Sequence, residues 1–161
     1  ATTACLDAQL RLGCFATRKG RVMDGWSRIF DSGFTHTIGA LERSDAGDRF
    51  RFATGPEHAA TDGSVNRGLL MTVMDSVLWA VVLGATHGRL DPPPGEGATT
   101  VTLNCDFTGA ARAGEIVQGA GTVTRRTRTV VFAAGDLWVE RDGLRVPVLA
   151  AMGVWKILGA R

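Results

Sequence analysis

The chain has 161 residues, the size of one domain able to bury a sizeable core, with 45% hydrophobic and 21% charged residues. Its 18 basic and 16 acidic residues nearly balance, which allows an anionic ligand but excludes the dense basic face that nucleic acid requires. Glycine is abundant at 21 residues and tyrosine is absent, a composition suited to strands, tight turns and close backbone contacts rather than a helix bundle.

Residues 3 to 18 have the spacing of a short amphipathic helix, with Thr3 as N-cap and Leu6, Leu10 and Cys14 on one face. The same stretch carries Asp7, Arg11, Arg18 and Lys19 and lacks a sustained apolar core, so no signal peptide is expected. Gly20 and Gly25 break the helix, and Trp26, Ile29 and Phe30 are expected to tuck a loop or helical turn against the body. Residues 1 to 33 thus read as a helical and loop extension packed on a single domain spanning residues 1 to 161. Two short strands are expected from Phe34 to Glu42 and from Arg49 to Ala53, joined by the turn-rich stretch from Arg43 to Asp48.

A loop from Gly55 to Gly63 leads to the segment Gly68 to Leu83, whose apolar residues cover every side, as in a buried helix ending near Gly84. Its longest apolar run, Leu69 to Leu83, is interrupted by Thr72, Asp75 and Ser76 and is shorter than the roughly 20 residues of a membrane span. After a proline-rich loop, Thr100 to Phe107 alternates, with Val101, Leu103, Cys105 and Phe107 on one face and Thr100, Thr102, Asn104 and Asp106 on the other. Strands are expected at residues 115 to 124, 129 to 140 and 145 to 157, with Asp142-Gly143 as a hairpin turn. Gly119, Gly121, Gly135 and Gly153 within them suggest bulges or curvature. Two strands, one long buried helix and a long meander are satisfied by an α+β fold in which an antiparallel sheet wraps around one central helix.

Asp75 is the residue that demands explanation. Carboxylates are rarely buried unless paired or employed, Asp75 is too far from the helix start to cap it, and no Lys or Arg lies three or four residues away. Either it faces a solvated edge or bonds a neighbouring hydroxyl, or it does chemistry. Cys5, Cys14 and Cys105 are odd in number and scattered, without CxxC spacing, so reduced thiols and no metal site are expected.

The stretch Gly63-Ser64-Val65-Asn66-Arg67-Gly68, followed after six residues by Asp75, resembles a signature of the phenylacetyl-CoA thioesterase (PaaI-type) branch of the hotdog superfamily. That signature reads Gly-x-φ-His-Gly-Gly, six residues, then Asp, where φ is apolar. The resemblance runs from about Phe34 to Leu158 and takes in His58, the strand Thr99 to Asn104, the strand–turn–strand from Gly121 to Phe132, and Val154 to Ile157. It implies a hotdog fold and hydrolysis of acyl-CoA thioesters, with coenzyme A as part of the substrate and no separate cofactor. By resemblance, the Arg67 backbone N–H is the oxyanion donor at the helix start, flanked by Asn66 and Gly68, and Asp75 is base or nucleophile. Thr100 matches a position that orients the attacking water. His58 would shape the pocket, and Arg125, Arg126 and Arg128 would meet the phosphates of coenzyme A.

Arg67 and Asp75 are eight residues apart, about 12 Å along a helix, so both cannot touch one carbonyl from the same helix. The implied site is therefore shared across a homodimer, which in the family often pairs into a tetramer. The chain departs from the family at Asn66 in place of His, Arg67 in place of Gly, and Ala60 where the loop often carries Asn. These departures motivate an alternative, a non-catalytic acyl-CoA sensor or carrier. A hydratase or dehydratase is disfavoured, because no His stands in the required place. Leu70, Met74, Trp79 and Phe107 admit aromatic or medium aliphatic acyl groups. A cytoplasmic location without membrane or nucleic-acid partners completes the expectation.

Overall fold

The computed structural model describes residues 25–159. The helix expected over residues 3 to 18, with Cys5 and Cys14, lies outside the described residues. Chain order is β1 (Trp26–Ile29), α1 (Gly33–Ile38), β2 (Leu41–Ser44), β3 (Phe50–Ala53), a short 3-10 turn (Pro56–His58), α2 (Arg67–His87), β4 (Gly97–Phe107), β5 (Ile116–Arg126), β6 (Val130–Arg141) and β7 (Leu144–Leu158). The strands form one seven-stranded antiparallel sheet in the order β1-β2-β3-β5-β6-β7-β4, with α2 packed on one face against β4, β5, β6 and β7. This is the sheet-around-helix architecture that the hotdog resemblance implies.

Two early expectations change. Trp26 to Ile29 is a strand paired with β2, not a loop. The strand expected from Phe34 is a helix up to Ile38, and only Leu41–Ser44 pairs in the sheet. The residues from Phe34 to Ile38 favour strands by type, yet no neighbour offers them a ladder, and the Phe34 side chain stands 68% exposed.

At its C-terminal end helix α2 runs four residues beyond the Leu83 that the apolar pattern suggests. Gly84 stays helical, and the chain turns instead at Gly88, whose φ of 68° and N–H bond to the Gly84 carbonyl close the helix. By length and composition alone its 21 residues could cross a membrane, but half of its most apolar window is buried inside the fold. Leu70, Val73, Met74, Val77, Leu78 and Leu83 are fully covered by the sheet. Met71, Thr72, Asp75 and Trp79 form a less covered stripe at helical spacing. Asp75 is therefore half-buried rather than enclosed.

Strand glycines provide clearance rather than bulges. A Cβ at Gly121 would lie 2.6 Å from Leu78 Cδ2, and one at Gly135 would meet the Ala120 carbonyl oxygen at 2.4 Å. The helix can thus approach the sheet closely. The bulges fall elsewhere, between Thr100 and Thr102, Val123 and Arg125, and Leu137 and Trp138. Asp142 and Gly143, both with positive φ (52° and 74°), make the expected hairpin turn.

Candidate active site

The bulge in β4 decides where Thr100 points. Straight alternation would put Thr100 on the face opposite Leu103. In the sheet, Thr100 pairs with Trp155 and Leu103 with Gly153, while Val101 has no partner in the ladder. Trp155 and Gly153 both face the helix and are buried, so the extra residue turns Thr100 and Leu103 to the same inner side. Val101 is pushed outward and is 59% exposed.

Thr100 Oγ1 thereby reaches Asp75 and donates a hydrogen bond to Oδ1 at 2.9 Å. The neighbouring hydroxyl that Asp75 bonds and the Thr of the resemblance are the same residue. Burial pushes the Asp75 carboxyl above its ordinary value, and the Thr100 bond pulls it partly back. Asp75 and Thr100 open onto a cavity of about 870 Å³, walled by Ser76 and Trp79 on the helix and by Phe30 and Leu90 from flanking loops. Trp79 lies four residues from Asp75, so helical spacing already placed it on the same stripe; Phe30 carried no comparable signal. Of the other side chains considered for acyl recognition, Leu70 and Met74 belong to the core.

The helix start is built from the loop upward. Asn66 Oδ1 caps α2, accepting from the N–H groups of Gly68 (2.8 Å) and Leu69 (3.3 Å). The Leu70 N–H bonds the Asn66 carbonyl, and the Asn66 N–H bonds the His58 carbonyl. Among the described residues, nothing accepts from the Arg67 N–H, which remains an available donor at the positive end of the helix dipole. The Arg67 guanidinium lies 5.4 Å from the Phe107 ring centroid on β4.

His58 braces this loop. Its Nδ1 accepts from the Gly55 N–H (2.8 Å), its Nε2 donates to the Ile38 carbonyl (2.7 Å), and its ring packs on Phe52. It does not line the cavity over Asp75. Cys105 is half-buried, and burial together with the charges of Asp106 and Asp75 holds its thiol protonated. Among the described residues, no cluster of His, Cys, Asp and Glu side chains could hold a metal ion.

The three arginines separate. The bulge before Arg125 puts Arg126 on the helix side, where its Nη1 donates to the Ala85 carbonyl at 2.7 Å, near the negative end of α2. Arg126 and Arg128 line a second cavity of about 380 Å³ with Thr127, Thr86 and His87. Arg125 pairs with Phe132 on the outer side of the sheet. One chain thus brings Asp75 and Thr100 together, but it leaves the Arg67 N–H about 12 Å away along the helix.

Residues 62–146, just over half of the chain, match the family model described as the Thioesterase superfamily. Solved structures share the fold. The E. coli PaaI protein, from the phenylacetic acid degradation operon, is 12% identical over 70% of this chain and 72% of its own, with a TM-score of 0.59. A Streptococcus mutans protein bound to acetyl-CoA is 13% identical over 89% and 97%, with a TM-score of 0.60. A phenylacetic acid degradation-related protein of Ralstonia eutropha is 23% identical over 76% and 87%, with a TM-score of 0.56. No curated protein matches the sequence. Motif, sheet-wrapped helix and family match converge, and the chain belongs to the thioesterase superfamily as a hotdog-fold member.

Proposed function

We propose that this chain hydrolyses acyl-CoA thioesters to the free acid and coenzyme A, at a site shared between two subunits. The observation that carries the reading is the half-buried Asp75 carboxylate held by Thr100 at the edge of a cavity. The second part is the available Arg67 N–H at the start of the same helix.

Strand β4 supplies the way to join them. Among the described residues it lies at the end of the sheet and leaves one edge of its 11 residues unpaired, with Asp106 as its single charge and no proline. Thr100, beside Asp75, lies in its first half, and Phe107, beside Arg67, is its last residue. Antiparallel pairing of two β4 edges about a two-fold axis near Asn104 sets Thr100 of one subunit opposite Phe107 of the partner subunit. Asp75 of one copy then faces the helix start of the other. The dimer is the unit of this proposal, and pairing of dimers into a tetramer extends it.

In this arrangement the thioester carbonyl oxygen accepts from the Arg67 N–H, which stabilises the oxyanion as the carbonyl becomes tetrahedral. Asp75 Oδ2, left free by the Thr100 bond to Oδ1, takes a proton from water as the water oxygen bonds to the acyl carbon. Collapse of the oxyanion breaks the C–S bond. Coenzyme A leaves as a thiolate, easily so for a thiol with a pKa of about 8.5, and the proton on Asp75 passes to it or to solvent. No metal or cofactor enters the scheme. Arg126 and Arg128, which line the second cavity, are assigned to the phosphates of coenzyme A.

Thiol release from a panel of acyl-CoA esters tests the reading. Asp75→Asn is expected to lower turnover by about 10²–10⁴-fold while the oligomer persists. Absence of turnover in the native chain, with measurable acyl-CoA binding, would instead support a sensor or carrier.

A further inference from the structure

Phe30 holds a strained backbone next to the cavity. Its φ of 58° lies in the left-handed region that a bulky side chain rarely adopts. Among the described residues the other non-glycine with positive φ is Asp142, where the hairpin turn requires it. No turn of that kind explains Phe30, which directly follows β1, where Ile29 pairs with Leu41.

The strained conformation sets the Phe30 ring against Trp79, with centroids 5.0 Å apart and planes at 53°. Trp79 cannot easily yield, because its Nε1–H donates to the Ala98 carbonyl at 2.8 Å and so ties the helix to the start of β4. Both rings line the cavity that contains Asp75 and Thr100. Trp79 is one helical turn beyond Asp75, about 6 Å of rise. An acyl group whose carbonyl sits at Asp75 and whose tail runs along the helix therefore meets the two rings after a short distance. Strained residues persist where the surrounding structure over-determines them, and they concentrate at ligand sites. The match to the family model begins at residue 62, so Phe30 lies outside the matched residues.

We propose that Phe30 and Trp79 form the end wall of the acyl site and restrict this chain to short acyl groups, an inference that rests on the hydrolase reading above. Trp79 is the fixed half of the wall, and Phe30 is the half that determines how far the cavity extends.

The test uses the full chain with acetyl-, butyryl-, hexanoyl-, decanoyl- and myristoyl-CoA, comparing native protein with Phe30→Gly and Phe30→Leu. Glycine accepts the left-handed conformation, so that variant removes the ring without adding strain. In the native chain kcat/KM is expected to fall at least about tenfold between butyryl- and decanoyl-CoA. In Phe30→Gly the ratio of decanoyl to acetyl kcat/KM is expected to rise by about tenfold, with Phe30→Leu between the two. A chain-length profile identical in all three proteins overturns the wall. Should no ester turn over, dissociation constants of the same esters by calorimetry replace the rates. The same shift in chain length then supports the wall while retiring the hydrolase, and an unshifted profile or no binding overturns the wall.

Discussion

Two opposing effects act on the Asp75 carboxyl. Partial burial raises its pKa by penalising the charged form, and the Thr100 hydroxyl lowers it by bonding that form. Only the ionised carboxylate can take a proton, so the acid limb of a kcat/KM profile should lie above the ordinary aspartate value. Thr100→Val removes the lowering influence. The limb should then move to still higher pH, and the plateau should fall about tenfold, the worth of one hydrogen bond to a charged group. A pH–rate profile of the two proteins checks both parts, and an unmoved limb would detach Thr100 from the carboxylate. Stability has the opposite sign. A carboxyl whose folded pKa is raised favours the fold at low pH and loses that contribution as pH rises through the folded value. Asp75→Asn therefore should not weaken the fold at neutral pH, which keeps it a clean activity probe. Asp75 was legible in the sequence because its neighbours are apolar. The facing of Thr100 was not, since a single-residue bulge reverses alternation without leaving a mark on the pattern.

At the scale of elements, the motif from Gly63 to Asp75 located the helix start correctly, and Asn66 performs the capping that its residue type suggests. The helix end was misread because Gly84 looks like a terminator. A glycine ends a helix only where the chain enters the left-handed region, and that happens at Gly88. The bulges expected at the strand glycines fall elsewhere for a related reason. Composition shows that a side chain is missing but not what occupies its place, and here it is the helix and neighbouring backbone. Gly135 has the least room: an added Cβ would stand 2.4 Å from the Ala120 carbonyl oxygen, 2.8 Å from Met74 Cε and 3.0 Å from the Gly121 Cα. Gly135→Ala is expected to cost about 1–3 kcal/mol, read as a lower urea midpoint with unchanged slope. An unaltered midpoint would show that the helix sits farther from the sheet than described.

At the scale of the whole molecule, the antiparallel meander and its enclosed helix were legible from hydrophobic periodicity and turn residues. The separation of about 12 Å between the Arg67 N–H and Asp75 was legible from helix geometry alone. What periodicity could not show is how the first described segment closes over the cavity, because Phe30 reaches Trp79 through a backbone conformation that its residue type disfavours. The reading as a shared site rests on the free β4 edge and on the separation of Asp75 from the Arg67 N–H. Arg67 occupies the first helical position, where proline is well tolerated and removes just the backbone donor and the side chain. Arg67→Ala, which keeps the N–H, controls for the lost cation.

Complementation between two inactive variants tests the shared site most directly. Asp75→Asn and Arg67→Pro subunits are co-expressed, and thioester hydrolysis is compared with each variant alone. In a mixed dimer one site carries both defects and the other carries neither. Random pairing should therefore restore roughly a quarter of the native rate per subunit. A mixture as inactive as its two parents, with mixed dimers demonstrably present, would contradict a site built from Asp75 of one subunit and the helix start of its partner.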